Sequence, residues 1–241
     1  MSGAPLPLLG TFHELSVVAA DVPAALAFYA RLGFTDATTG DVFTHPYGVL
    51  TDGRLVLGLH ARTGPSPTLT FVRPGIAASL TAFERAGIGL TRRRTGEEVF
   101  NEIAFTDPGG HAVAVLEART YSPVARALTE TSWCGDFAEV SLPAADFAAA
   151  QSFWEPLGFV AEELPLPYPR LALTSDHLDL AFHSPRLCSR PMLVFHAAGL
   201  AARLARLSAL GFTLGAAPAG ADGAVLESPE GTALLLLEAD G

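Results

Sequence analysis

Lysine is absent from this 241-residue chain: all fifteen basic residues are arginine, set against twenty-five acidic ones, and the formal net charge is −10. Phosphate backbones are held by clustered cations, so this balance argues against nucleic acid as a partner. The one basic run, Arg92-Arg93-Arg94, is offset by Glu97, Glu98 and Glu102 and reads as a solvated loop. Its functional alternative is recognition of a ligand carboxylate or phosphate by guanidinium forks. Cysteine is scarce as well, and Cys134 and Cys188 form neither a metal-binding spacing nor a disulfide framework. Long apolar runs are missing. The stretch Ala233 to Leu237 is far shorter than the roughly 20 residues that cross a bilayer. Residues 1–12 lack the basic start and apolar centre of a signal peptide, so the chain is expected to be soluble and cytoplasmic, with no membrane partner. No Gly-rich phosphate loop, Gly-x-Ser-x-Gly elbow or Cys–His nucleophile pair occurs.

What is present is a composition of 49% apolar and 17% charged residues, that of a globular protein, and an internal repeat. The string from Glu14 to Asp21 (ELSVVAAD) matches Glu139 to Asp146 (EVSLPAAD). Phe28-Tyr29 then matches Phe153-Trp154, and Leu32-Gly33-Phe34 matches Leu157-Gly158-Phe159, all 125 positions apart. His60 pairs with His183 at 123, Phe71 with Phe195 at 124, and Pro108, Gly110 and Glu117 with Pro229, Gly231 and Glu238 at 121. Offsets that keep their order and drift by a few residues mark a duplication with small loop changes.

Each half reads alike. A strand over 12–19 or 137–143 leads to Asp21 or Asp146, whose side chain can cap a helix by accepting its first free N–H groups. Apolar residues at helical spacing follow, and Gly33 or Gly158 ends the helix. A hairpin turns at Thr51-Asp52-Gly53 or Thr174-Ser175-Asp176. A strand over Leu69–Val72 or Leu193–His196 precedes a second helix, 76–86 or 200–210, and a closing strand, 111–117 or 232–238. The expected domains are a first module over 1–118, a linker over 119–136 and a second module over 137–241.

These motifs, in this order and twice over, resemble the glyoxalase/bleomycin-resistance/dioxygenase superfamily, the vicinal oxygen chelate proteins. The resemblance covers nearly the whole chain. It implies an α+β fold in which two tandem βαβββ modules pair curled mixed sheets into half-barrel clefts. In that superfamily the clefts hold a divalent metal or an organic ligand alone. Its ligand positions map here onto Glu14 or Glu139 on the first strand, Gly58 or Ala181 after the hairpin, Thr68 or Met192 before the second helix, and Ala114 or Leu235 on the last strand. The usual His/Glu set is therefore missing from both modules. His60 and His183 stand two residues beyond the second position, on the same strand face, and so could meet Glu14 and Glu139. Glu117 and Glu238 lie an odd step from the last position and should face away.

On this reading Glu14 and His60 are the candidate catalytic pair, and also the fallback metal site if a divalent cation is bound. Otherwise no metal or cofactor is expected. A Glu in a half-buried cleft is either a structural partner of His60 or Arg54, or a polar anchor or general base. The wall around Glu14 is expected to be apolar, built from Leu57, Leu59, Ala114 and Leu116. Phe43, Tyr47, Thr68, Glu139, Tyr168 and His183 are candidate ligand-binding residues, the aromatic ones by stacking at the cleft rim. The first functional expectation is a metal-free small-molecule pocket protein, binding an oxygen-rich or aromatic organic ligand in the module-one cleft. The alternative is a glyoxalase-like lyase or dioxygenase-like enzyme using Glu14 and His60; a third is a non-catalytic interaction module. The chain is expected to act as a monomer, an internal pseudo-dimer, or as a homodimer.

Overall fold

A computed structural model describes residues 7–37, 44–118, 132–163, 168–218 and 221–239. The first half runs β1 (Thr11–Val18), α1 (Val22–Arg31), β2 (Thr35–Asp36), β3 (Tyr47–Thr51), β4 (Val56–His60), β5 (Thr68–Arg73), α2 (Ile76–Arg85), β6 (Leu90–Arg94), β7 (Glu102–Thr106) and β8 (Ala112–Glu117). The second half runs β9 (Asp136–Pro143), α3 (Phe147–Trp154), β10 (Val160–Glu162), β11 (Arg170–Thr174), β12 (Leu180–His183), β13 (Met192–Ala197), α4 (Leu200–Ala209), β14 (Gly215–Ala216), β15 (Gly223–Glu227) and β16 (Ala233–Glu238). Each half forms one eight-stranded mixed sheet, ordered β2-β3-β4-β1-β5-β8-β7-β6 and β10-β11-β12-β9-β13-β16-β15-β14. The two orders are the same, as duplication requires, and the α+β two-module architecture is the one the resemblance implied. Each half also carries the βαβββ order twice, once on either side of the central β1–β5 or β9–β13 pair.

The central strands alternate as half-buried strands do. Leu15 and Val17 turn to the helices, while Glu14 and Ser16 turn to the open face of the sheet, opposite Thr70 and Thr68 of β5. A break in register between Phe12 and Glu14 recurs between Phe137 and Glu139, so the bulge was copied with the module. Sequence patterning did not reveal the edge strands, nor β7 and β15 beside them. β2 and β14 have two residues each, and β6 is exposed over most of its length, so no apolar alternation marks them. The Arg92-Arg93-Arg94 run is thus not a loop but the outer strand of the first sheet, solvated as expected.

Caps hold the helices at both levels of the repeat. Asp21 accepts from the Ala24 amide and Asp146 from the Ala149 amide, each at 2.9 Å. Helices α2 and α4 begin at Gly75 and Gly199, which have positive φ and no side chain with which to cap. Glu117 at the end of β8 substitutes, accepting from the amides of Gly75 (2.7 Å) and Ile76 (2.9 Å), and Glu238 does the same for Gly199 and Leu200. Their turning away from the cleft, expected from spacing, therefore has a structural cause.

The helix-bearing faces share one buried core that draws on both halves. Phe28 meets Phe212 and Phe105 meets Phe153, so α1 packs toward the second sheet and α3 toward the first. Polar ties follow the same reciprocity. The Tyr29 hydroxyl donates to Glu230 (2.5 Å) in the β15–β16 turn, and the Trp154 indole N–H donates to Asp107 (3.3 Å) in the β7–β8 turn. Among the described residues no helix is long and apolar enough to cross a membrane.

Replacing Glu117 with Ala strands the amides of Gly75 and Ile76, and is expected to lower unfolding stability by about 1 kcal/mol. Chemical denaturation measures this, and an unchanged midpoint would remove the capping role.

Candidate functional site

The open face of the first sheet is built around Glu14. Its register partner on β5 is Thr70; Ser16 follows on the same face of β1, and across the parallel β1–β4 pair Gly58 aligns with Ser16 and His60 with Val18. The carboxylate is buried, 2% exposed, and lies over β4 in space that a side chain would normally occupy. A Cβ placed on Gly58 would sit 2.5 Å from the Glu14 carboxyl carbon, well inside contact distance. That missing methyl lets Glu14 Oε1 reach His60 Nε2 at 2.9 Å, while the Ser16 hydroxyl donates to the same oxygen at 2.5 Å. Because a carboxylate only accepts, His60 carries its proton on Nε2 toward Glu14. His60 Nδ1 lies 3.0 Å from His45 Nε2, and the Tyr47 ring stacks on His60 with centroids 6.1 Å apart. A carboxylate–imidazole–imidazole chain thus runs from the buried floor to the half-buried His45.

Burial pushes the Glu14 carboxyl up, but the hydrogen bonds from His60 and Ser16 and the positive potential of His60 and His13 outweigh it. Its pKa falls below the ordinary 4.5 and the group is ionised at neutral pH. The other carboxylate oxygen, Oε2, is buried with no hydrogen-bond partner among the described residues. Desolvation, with help from His60 and Arg62, lowers the pKa of His45 below 6.5, which favours its neutral form.

The wall around this carboxylate differs from the sequence expectation. Leu57 and Leu59 align with Leu15 and Val17, on the helix side, and belong to the core. Ala114 does align with the Glu14 face through Thr70, and Leu116 through Val72, but the nearest wall is polar: Ser16, Thr68 and Thr70. The hydroxyls of Ser16 and Thr70 are 2.8 Å apart, and Thr68 spends its hydroxyl on the Pro65 carbonyl (3.2 Å). Phe43 lies outside the described residues. Arg54, the other partner considered for Glu14, pairs instead with Asp136 at 3.0 Å.

The second sheet repeats the positions and changes the contacts. Ala181 stands where Gly58 does and supplies the Cβ that would meet a carboxylate lying over the strand. Arg170 occupies the register position of Tyr47, each facing the histidine that ends the neighbouring strand. Accordingly Glu139 does not meet His183 as Glu14 meets His60. It forms a buried ion pair with Arg170, while His183 takes Ser141 (2.8 Å) and the Cys188 carbonyl (3.0 Å). Met192, Val194 and Leu235 replace Thr68, Thr70 and Ala114, and they pack with Leu237 and Tyr168 into an apolar cluster. Tyr168 is therefore buried under this cluster rather than open at a rim. Among the described residues Glu139 Oε1, Arg170 Nε and the Tyr168 hydroxyl lack hydrogen-bond partners. Desolvation drives the Glu139 carboxyl up to about 7 despite the Arg170 guanidinium, and the Tyr168 phenol up to about 12.

Among the described residues neither face presents a metal-binding donor set. A divalent site of the zinc or iron type needs three or four N, O or S ligands. Among the described residues no group of three His, Cys, Asp or Glu side chains converges, and His60 commits both ring nitrogens, to Glu14 and to His45.

No protein-family model matches the chain, and no curated protein does. Solved structures do. The 2,3-dioxygenase LapB from a Pseudomonas species superposes with a TM-score of 0.64 at 15% identity, over 99% of this chain and 94% of that one. A catechol 2,3-dioxygenase gives 0.62 at 14% identity, over 98% and 89%. A variant of homoprotocatechuate 2,3-dioxygenase from Brevibacterium fuscum gives 0.62 at 16%, over 98% and 73%. At these identities the likeness establishes the fold alone: two modules arranged as in these 2,3-dioxygenases.

The Gly58→Ala substitution is expected to evict the Glu14 carboxylate from its place beside His60 and to cost about 1–3 kcal/mol of stability through overpacking. Thermal unfolding together with the His60 imidazole resonances reads both effects, and an undisturbed Glu14–His60 contact would show that the missing methyl is not what admits it. Glu139 gives a pH signature of opposite sign to Glu14. Its folded pKa is raised, so its stabilising contribution is complete below 4.5 and is lost as pH rises through about 7. The difference in unfolding free energy between the natural chain and Glu139→Gln should therefore fall across that window; a difference constant with pH would contradict it.

Proposed function

We propose that the chain is a small-molecule-binding protein of the vicinal oxygen chelate fold whose module-one cleft takes a hydroxyl-bearing, oxygen-rich or aromatic organic ligand without a metal. The observation that carries this reading is Glu14 Oε2, a buried oxygen of an ionised carboxylate that meets no hydrogen-bond partner among the described residues, on the strand face turned away from the helices. Leaving such an acceptor unmet costs on the order of 1–3 kcal/mol, and an O–H donor from a ligand recovers it. Tyr47 and His60 offer a stacked aromatic surface beside it. The module-two face differs: its carboxylate pairs with Arg170, and Met192, Val194 and Leu235 stand where Thr68, Thr70 and Ala114 do, which leaves fewer polar groups to meet such a ligand. Glu139, Tyr168 and His183 are accordingly read as structural, and Glu14, His60 and Tyr47 as ligand-contacting, with Thr68 beside them.

A second reading has its own support in the Glu14–His60–His45 chain. An ionised carboxylate that orients one imidazole, itself bonded to a second, is an arrangement able to hold or relay a proton. On that reading the protein is a metal-independent enzyme, Glu14 stabilising positive charge on His60 while His45 exchanges protons with the ligand.

Catechol, for which a similar 2,3-dioxygenase is named, is the probe, with toluene as its hydroxyl-free counterpart, each titrated calorimetrically in the presence of a chelator. Catechol is expected to bind, toluene more weakly, and Glu14→Gln to weaken catechol by about tenfold, roughly 1.4 kcal/mol, while leaving the fold intact. If Glu14→Gln binds catechol as the natural chain does, Glu14 is a structural carboxylate and the site is misplaced. Protein purified without added metal and treated with chelator is expected to retain well under one transition metal per chain by elemental analysis. Stoichiometric metal surviving that treatment would overturn the metal-free reading.

A further inference from the structure

A cavity left unused by this reading lies between the two halves of the chain. With a volume of about 610 Å³, it opens between α1 of the first half and the α4–β15 region of the second, within the size range of small-molecule pockets. Met192, 1% exposed, closes its inner end, and the rings of Phe28 and Phe212 line it, packed edge to face with centroids 5.4 Å apart. Its outer side carries Arg31, Arg190 and Glu227. Arg31 is fixed rather than waving: it donates to the Leu210 carbonyl, and its guanidinium carbon lies 4.6 Å from the Phe212 ring centroid. Arg190 meets Glu227 at 2.7 Å, and its side chain is 40% exposed.

Duplication provides an internal control on what these residues are for. Whatever the fold needs should recur at the equivalent positions of the other half, and the aromatic wall does so in part, Phe28 corresponding to Phe153 but Phe212 to Ile88. The charges do not. Arg31 corresponds to Pro156, Arg190 to Ser66 and Glu227 to Thr106. The cationic mouth is therefore an addition to the module. Its two guanidiniums carry ten N–H donors between them by the chemistry of the group, of which Leu210 and Glu227 engage few. Two positive charges against one negative leave the mouth cationic in a chain whose net charge is −10.

We infer that this cavity is a second ligand site, for an organic anion: an apolar or aromatic body seated against Phe28, Phe212 and Met192, with a carboxylate or sulfonate held by Arg31 and Arg190. Planar guanidinium forks match such anions in geometry as well as charge. The site is independent of the module-one cleft and shares no residue with it.

The test uses the full chain and two fluorescent probes of one shape, anilinonaphthalene sulfonate and the uncharged N-phenylnaphthylamine. The sulfonate is expected to bind saturably at one site. Arg190→Gln and Arg31→Gln should each weaken it by about tenfold, with the neutral probe changed less than about twofold. Arg190 lies at the surface, so its variant reads the effect without disturbing the core even if Arg31→Gln loosens the tie to Leu210. Saturable sulfonate binding that both variants leave unchanged would overturn the inference, as would its absence from the natural chain. Equal losses for both probes would overturn the role of the charges.

Discussion

Each sheet in this protein carries helices on one face only, and the apolar layer beneath them is closed by the other half of the chain. Phe28 against Phe212, Phe34 against Phe195 and Phe105 against Phe153 are the contacts through which one core serves both sheets. Tyr29 and Trp154, at equivalent positions of the repeat, add a hydrogen bond each from helix to opposing turn. With the helix faces spent on this shared core, chemistry is left to the opposite faces of the sheets. That division explains why every buried polar side chain with functional potential, from Glu14 to His183, sits on the strands' other side.

The two open faces show how one inherited position acquires different chemistry. Both modules place a Glu on the first strand and a His at the end of the parallel neighbour, and both copy the bulge that precedes the Glu. Gly58 leaves room for Glu14 to lie across β4 and reach His60, whereas Ala181 occupies that room and Glu139 turns to Arg170. The exchange of Thr68, Thr70 and Ala114 for Met192, Val194 and Leu235 then makes the second face apolar, which is why desolvation dominates at Glu139 and is outweighed at Glu14. A methyl at Ala181 and three bulkier or more apolar side chains separate the packed floor from the polar one.

The same comparison bears on the family likeness. Fold similarity to extradiol-type dioxygenases extends over nearly the whole chain, yet a fold hosts many chemistries and the site decides among them. Here the positions that the sequence resemblance marks for metal ligands hold Gly58, Thr68 and Ala114 in one half and Ala181, Met192 and Leu235 in the other. The carboxylate and imidazole that remain are bonded to each other.

Periodicity, caps and the repeat were legible in the residues alone, because each depends on neighbours within a few positions along the chain. The alternation of Leu15 and Val17 with Glu14 and Ser16, the Asp21 and Asp146 caps and the hairpins all appear where spacing placed them. So does the juxtaposition of Glu14 with His60, since residues two apart on a strand share a face. The edge strands were not legible, for Arg92-Arg93-Arg94 pairs by backbone alone and buries nothing that a pattern could show. Nor were the partners of the charged groups. Leu57 and Leu59 belong to the other wall, as the alternation that puts Gly58 and His60 on the Glu14 face already requires, whereas the pairing of Glu139 with Arg170 depends on side chains of a neighbouring strand. The cavity beside Arg31 brings together side chains from both halves. Sequence determined which residues are inside and how often the motif repeats; only tertiary structure decided which buried charge meets which, since that choice rests on contacts between strands that are distant in the chain.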